Sequence, residues 1–111
     1  MIHVTIFENK EKTCVGFHAH GHADYADEGN DIVCAAASVL IINTVNAIEM
    51  YTEDSFALDT EQKSGLVDCR FTDPTSEETD LLLNTMILGL SGMAEDDQYA
   101  DYIDLTFQEV Q

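Results

Sequence analysis

Basic residues are scarce in this chain. Against 22 aspartates and glutamates stand four cations, Lys10, Lys12, Lys63 and Arg70, leaving a formal net charge of -18. A nucleic-acid binder needs Lys and Arg to displace counterions from phosphates. Direct binding to RNA or DNA is therefore not expected, and an anionic membrane should repel the chain as well. Cysteine is also sparse: Cys14, Cys34 and Cys69 are odd in number, widely spaced and without a CxxC pair. That pattern excludes a disulfide framework and a zinc ribbon, and fits reduced thiols. No run approaches the roughly 20 apolar residues that span a bilayer; the longest, Ile32 to Ile42, is broken by Ser38. The opening MIHVTIFENK has no basic leader and no signal-peptide core. A cytoplasmic location is the expectation.

What is present suits one globular domain over residues 1–111. Hydrophobic residues make up 45% of the chain, too many for a disordered acidic tail. Met1 to Phe7 alternates Ile2, Val4 and Ile6 with His3 and Thr5, a half-buried strand. Thr13 to His20 reads as a second strand after a polar turn, and Gly21 to Asn30 has the composition of a loop. Asp31 to Tyr51 is too long and alanine-rich for a strand. It reads as a helix capped by Asn30 or Asp31, buried nearly all round in its first half and solvated along Asn43, Asn46 and Glu49 in its second. Ser55 to Thr60 and Leu66 to Thr72 are short strands around QKSG. A second helix starts after Asp73-Pro74-Thr75, with Glu77 and Glu78 at its positive end, and runs to about Ala94 with Leu82, Met86, Leu90 and Met93 at helical spacing. Tyr102 to Val110 closes as a strand. The order ββαββαβ predicts an α+β fold, with two helices and an antiparallel or mixed sheet. Met86, Met93, Phe56 and Phe71 read as core.

The chemistry-bearing segment is FHAHGHADYADEGNDIVCAAASVL, Phe17 to Leu40. Three readings of it stand side by side. His18, His20 and His22 alternate on a strand and so share a face, and zinc takes imidazole ligands. Yet same-face side chains on one strand stand about 6.5 to 7 Å apart, too far for tetrahedral convergence, so no metal site is expected. In the inert reading, Cys14 and Cys69 are small buried hydrophobes and His3, His18 and His20 are strand-surface residues. In the catalytic reading, Cys34 lies in the first turn of the long helix, where unpaired N–H groups and the dipole favour a thiolate and an oxyanion. His22 precedes it across a loop long enough to fold back over the helix start, and a thiol with an imidazole in reach is the unit of cysteine-nucleophile catalysis. Ala35, Ala36 and Ala37 leave room for an extended substrate, and Ser38 is one turn beyond Cys34.

The stretch GHADYADEGNDIVCAAAS, Gly21 to Ser38, closely resembles the signature of the ribosomal-processing cysteine proteases, the Prp family: a GHA start, a short glycine-containing loop, DIVCA and a serine. NTMILGL in the second helix and Tyr99 to Phe107 look like the family's C-terminal half, and length and element order agree. The resemblance implies a homodimeric α+β protease that needs no cofactor, with Cys34 as nucleophile and His22 as its base. Gly21 and the loop after it match the family's mobile segment, and Asp31 and Ser38 match supporting signature positions. The implied substrate is large-subunit ribosomal protein number twenty-seven, made with an N-terminal extension that the enzyme removes. Such a substrate is basic, so the -18 charge would speed encounter. His18 and His20 depart from the signature and leave two further imidazoles near the expected base. The rival reading is a non-catalytic acidic dimer that binds a basic ribosomal or assembly protein.

Overall fold

Alternation in five segments and two long helical stretches build one sheet with both helices against a shared core. The computed structural model describes residues 1–21 and 28–110, and of residues 28–31 the backbone alone. The elements are β1 (Ile2–Glu8), β2 (Cys14–His20), α1 (Glu28–Tyr51), β3 (Phe56–Glu61), β4 (Leu66–Phe71), α2 (Glu77–Glu95) and β5 (Ile103–Glu109), in the expected order ββαββαβ. The sheet is mixed, with spatial order β3-β4-β2-β1-β5. β1 is antiparallel to β2 and parallel to β5, while β4 lies antiparallel between β2 and β3. β2 and β3 therefore run the same way, and α1 crosses between them with β4 inserted in the gap.

Strand alternation decides which face is covered. Val4, Ile6, Phe17, Ala19, Cys69 and Ile103 point to the helices and are buried; His3, His18 and His20 stand on the other face. Val33, Ala37, Ile41, Val45 and Ile48 of α1 join the core from above, with Leu83, Met86 and Leu90 of α2. Burying a Phe17 or Leu83 side chain contributes about 1.5–3 kcal/mol. Phe71 is buried, and Phe56 and Met93 pack half-buried against the same core. Gly89 lets the helices approach closely, since a Cβ there would lie 3.0 Å from Leu40.

Two expectations for α1 change. Its first half is not buried all round: Val33, Ala37 and Ile41 face inward, while Ile32, Val39 and Ile42 stand exposed. One sheet can cover only one face of a helix, and among the described residues nothing covers the other. In addition, Ile32–Tyr51 is long and apolar enough to cross a membrane by length and composition, contrary to the reading of shorter apolar runs; its inward residues make it the core helix here. The stripe Asn43, Asn46 and Glu49 is exposed as expected.

The start of α2 is fastened to the end of α1. Ser76 is its N-cap and accepts from the Thr79 N–H; Ser76 N–H and Oγ both donate to Asp54 at 2.8 Å. Bonds from Thr79 and Ser76 hold the Asp54 carboxyl below its ordinary value. Ser76→Ala removes a helix cap and one Asp54 donor, and is expected to cost about 1 kcal/mol, measurable as a lower urea midpoint with unchanged slope.

Candidate active site

Of the three thiols, two are enclosed. Cys14 and Cys69 lie on strands inside the core, and burial pushes them up to about 11 and about 12 respectively. Neither forms thiolate near neutral pH, as the inert reading expects. Cys34 is different: it is half-buried on α1 and borders a cleft of about 600 Å³ between α1 and the β3–β4 hairpin. Its wall on α1 is Cys34, Ser38 and Ile42, one helical turn apart. Thr60, Leu66 and Val67 face them from the hairpin. Cys34 to Ile42 spans about 12 Å of helix axis, enough for roughly three to four extended residues. Along α1 the groove is lined by the Cys34 thiol, then Ser38 one turn on, then the apolar side chain of Ile42 at the far end.

The helix begins earlier than its sequence suggests. α1 starts at Glu28, not at a cap on Asn30 or Asp31, so Cys34 falls in the second turn. There the backbone N–H groups are already inside the helical ladder, and the dipole's effect has largely decayed. The free N–H groups belong to residues 28–31, one turn below the thiol. Glu28, Gly29 and Asn30 have loop composition, and this is why the sequence placed the boundary late.

Gly21 sits where β2 ends. Its φ is +96°, and a Cβ there would lie 2.3 Å from the Met1 carbonyl oxygen. Its N–H donates to the Ser64 carbonyl at 3.0 Å, tying it to the β3–β4 turn whose Gln62 and Gly65 also border the cleft. The chain thus leaves β2 at the rim of the groove that Cys34 opens into. His22, the expected base, lies outside the described residues, as does the Asp31 side chain. The structure brings together Cys34, Ser38 and the anchor of Gly21.

The other two imidazoles of the run are elsewhere. His18 and His20 stand on the open face of the sheet, across it from α1 and Cys34. His18 Nδ1 meets Asp68 at 2.7 Å. Burial works to raise the Asp68 pKa, but hydrogen bonds from Arg70 and His18, with their charges, hold it below the ordinary value. Sequence reasoning missed the lining residues Ile42, Leu66 and Val67, since the hairpin that completes the groove is far along the chain. A second hollow, of about 520 Å³ between Phe7, Arg70, Phe71 and Pro74, has no cysteine among the described residues that line it.

Comparison with known proteins agrees with this geometry. Residues 1–104 match the family described as cysteine protease Prp. The ribosomal processing cysteine protease Prp of Staphylococcus aureus is 33% identical over 108 residues, covering 97% of this chain and all of the relative. The crystal structure of that protein with a substrate peptide superimposes with a TM-score of 0.89 at 32% identity, covering 97% of this chain and 100% of the other. A second structure of the S. aureus protein, with a covalently linked product peptide, gives 0.86 at 33% identity over 97% and 100% of the two chains.

Proposed function

The chain belongs to the Prp family of cysteine proteases and is itself a cysteine protease; from that premise we propose that a dyad of Cys34 and His22 removes the N-terminal extension of large-subunit ribosomal protein number twenty-seven. The observation that carries this reading is the cleft beside Cys34: one accessible thiol at the end of a groove long enough for an extended peptide. The tether of Gly21 to the same hairpin adds support, because it starts the segment bearing His22 at the groove's rim.

The chemistry follows from those parts. His22 takes the proton from Cys34, and Sγ attacks the scissile carbonyl. The tetrahedral intermediate collapses as the protonated imidazole gives its proton to the leaving amine. Water then cleaves the thioester, with His22 again as base. Ser38, one turn beyond the thiol, holds the peptide backbone in the groove. Gly21 positions the loop, and Asp31 supports the helix start. The apolar end of the groove takes an apolar side chain of the substrate some residues from the cut.

The net charge of -18 draws in a basic ribosomal protein and raises its encounter rate, more so at low salt. A reducing cytoplasm would keep Cys34 as a thiol. The enzyme works as a homodimer, a reading supported by the uncovered apolar side chains on the outer faces of the helices. Val39 is 67% exposed, and Leu88 of α2 is 74% exposed; large apolar surface of this kind marks interaction sites.

The test is direct. Incubated with the ribosomal protein carrying its extension, the enzyme should yield a product shortened at one bond, seen by mass spectrometry. Binding without any shortening would overturn the proposed substrate. Ile42→Glu places a charge in the apolar end of the groove. Losing about 1.5 kcal/mol of apolar contact corresponds to roughly a tenfold weaker complex. KM for the extended substrate should rise by about that factor while kcat changes little.

A further inference from the structure

The cleft beside Cys34 has one charged side chain among the described residues that line it. The α1 wall bears no fixed charge, and on the hairpin Thr60, Gln62, Leu66 and Val67 are neutral; Glu61 is the exception. Glu61 ends β3 and pairs in register with Leu66, which opens β4. The pair before it, Thr60 and Val67, lies on the helix side of the sheet, since Val67 packs against the core. Alternation therefore turns Glu61 and Leu66 off the floor of the cleft and onto its rim. Glu61 is exposed there, so its carboxylate stays hydrated. The ion pairs among the described residues do not use it: Lys12 goes to Glu109 and Arg70 to Asp68.

Reach decides what can use such a rim. Lys and Arg carry their charge at the end of a long apolar stem, and the stem can lie along apolar surface while the charge stays in water. Leu66, half-buried beside Glu61, supplies that surface. We propose that Glu61 is a specificity residue of the protease: it pairs with a lysine or arginine of the bound peptide, within about four residues of the scissile bond, whose stem lies on Leu66. The inference rests on the reading that substrate lies extended in the cleft beside Cys34. It is distinct from the pull of the net charge. The -18 of the whole chain speeds the approach of any basic polypeptide and favours no position within it. Glu61 acts at one place, so it favours a cation at one position of the peptide and disfavours an acid there. An exposed pair of this kind is worth at most about fivefold in binding, and salt screens it.

The test starts by exposing a diverse synthetic peptide library to the parent protein and reading the cut products by mass spectrometry. Lys or Arg should be enriched at one fixed position near the cut. Matched peptides then carry Lys, Gln or Glu at that position. The parent should favour Lys over Gln by about three- to fivefold in kcat/KM, mostly through KM. Glu61→Gln should erase that preference, and Glu61→Lys should reverse it, taking Glu over Lys. Glu78→Gln removes the same charge at the start of α2, beside the end of α1 far from Cys34, and should keep the preference. Because Glu61 is exposed, its variants retain the fold, which circular dichroism checks. No basic enrichment by the parent, or a preference that Glu61→Lys leaves intact, would overturn the proposal. The extended ribosomal protein is assayed in parallel. Its cleavage beside a flat basic preference sinks the role of Glu61 alone; a basic preference without its cleavage sinks the proposed substrate alone.

Discussion

Cys34→Ala is expected to abolish cleavage of the extended ribosomal protein while leaving the protein folded and able to bind it. The side chain is half-buried at the groove's edge, so truncation removes one sulfur and opens no large cavity in the core. Stability should change by less than about 1.5 kcal/mol. Activity should fall by a factor of about 10⁴ or more, because neither of the other thiols can substitute: Cys14 and Cys69 are enclosed, with their thiols pushed up to about 11 and about 12 by burial. His22→Ala should cost a comparable factor, and the double variant little more than either alone, since a nucleophile and its base act as one unit. The decisive measurement is single-turnover cleavage beside a binding titration. Residual cleavage by Cys34→Ala at even a hundredth of the parent rate would refute Cys34 as nucleophile. Full activity in His22→Ala would move the base to another residue. His18 and His20 are poor candidates, since the sheet separates them from α1.

How much of this was legible in the sequence differs by element. Period-two alternation marked β1 and β5, the QKSG turn marked β3 and β4, and the acidic start after Pro74 marked α2 to within a residue at its cap, because these patterns are local. Neighbour order was not legible. Alternation says which face a side chain takes and nothing about which strand lies beside it. The placement of β5 parallel to β1, and of β4 between β2 and β3, is therefore a tertiary fact. The same limit hid the groove, whose second wall comes from Leu66 and Val67, and hid His3, which joins the HAH run only through the β1–β2 register. Cys34 and Gly21 stand out in the sequence because the stretch that carries them is contiguous. The start of α1 was misplaced because Gly29 and Asn30 favour loops, and the outer apolar face of α1 was read as buried because composition cannot tell an apolar side chain that faces the core from one that faces outward.

Gly21→Ala is the other change with a large expected effect, and its cause is purely geometric. At φ +96° a side chain meets its own backbone, a conformation that costs an L-residue about 1–2 kcal/mol. The added Cβ would also lie 2.3 Å from the Met1 carbonyl oxygen, a backbone atom at the start of β1 that cannot swing aside. Relieving that overlap means shifting β1 or the end of β2, at a further 1–3 kcal/mol, about the cost of overpacking a core. The total is about 3 kcal/mol, visible as a lower urea midpoint. The same shift should also break the bond from the Gly21 N–H to the Ser64 carbonyl, releasing the segment that follows from the hairpin beside the thiol. Activity should then fall by more than the unfolded fraction explains. Measured at a temperature where the variant is still fully folded, kcat should drop at least about tenfold. Cleavage equal to that of the parent, per folded molecule, would show that the tether has no part in placing the base.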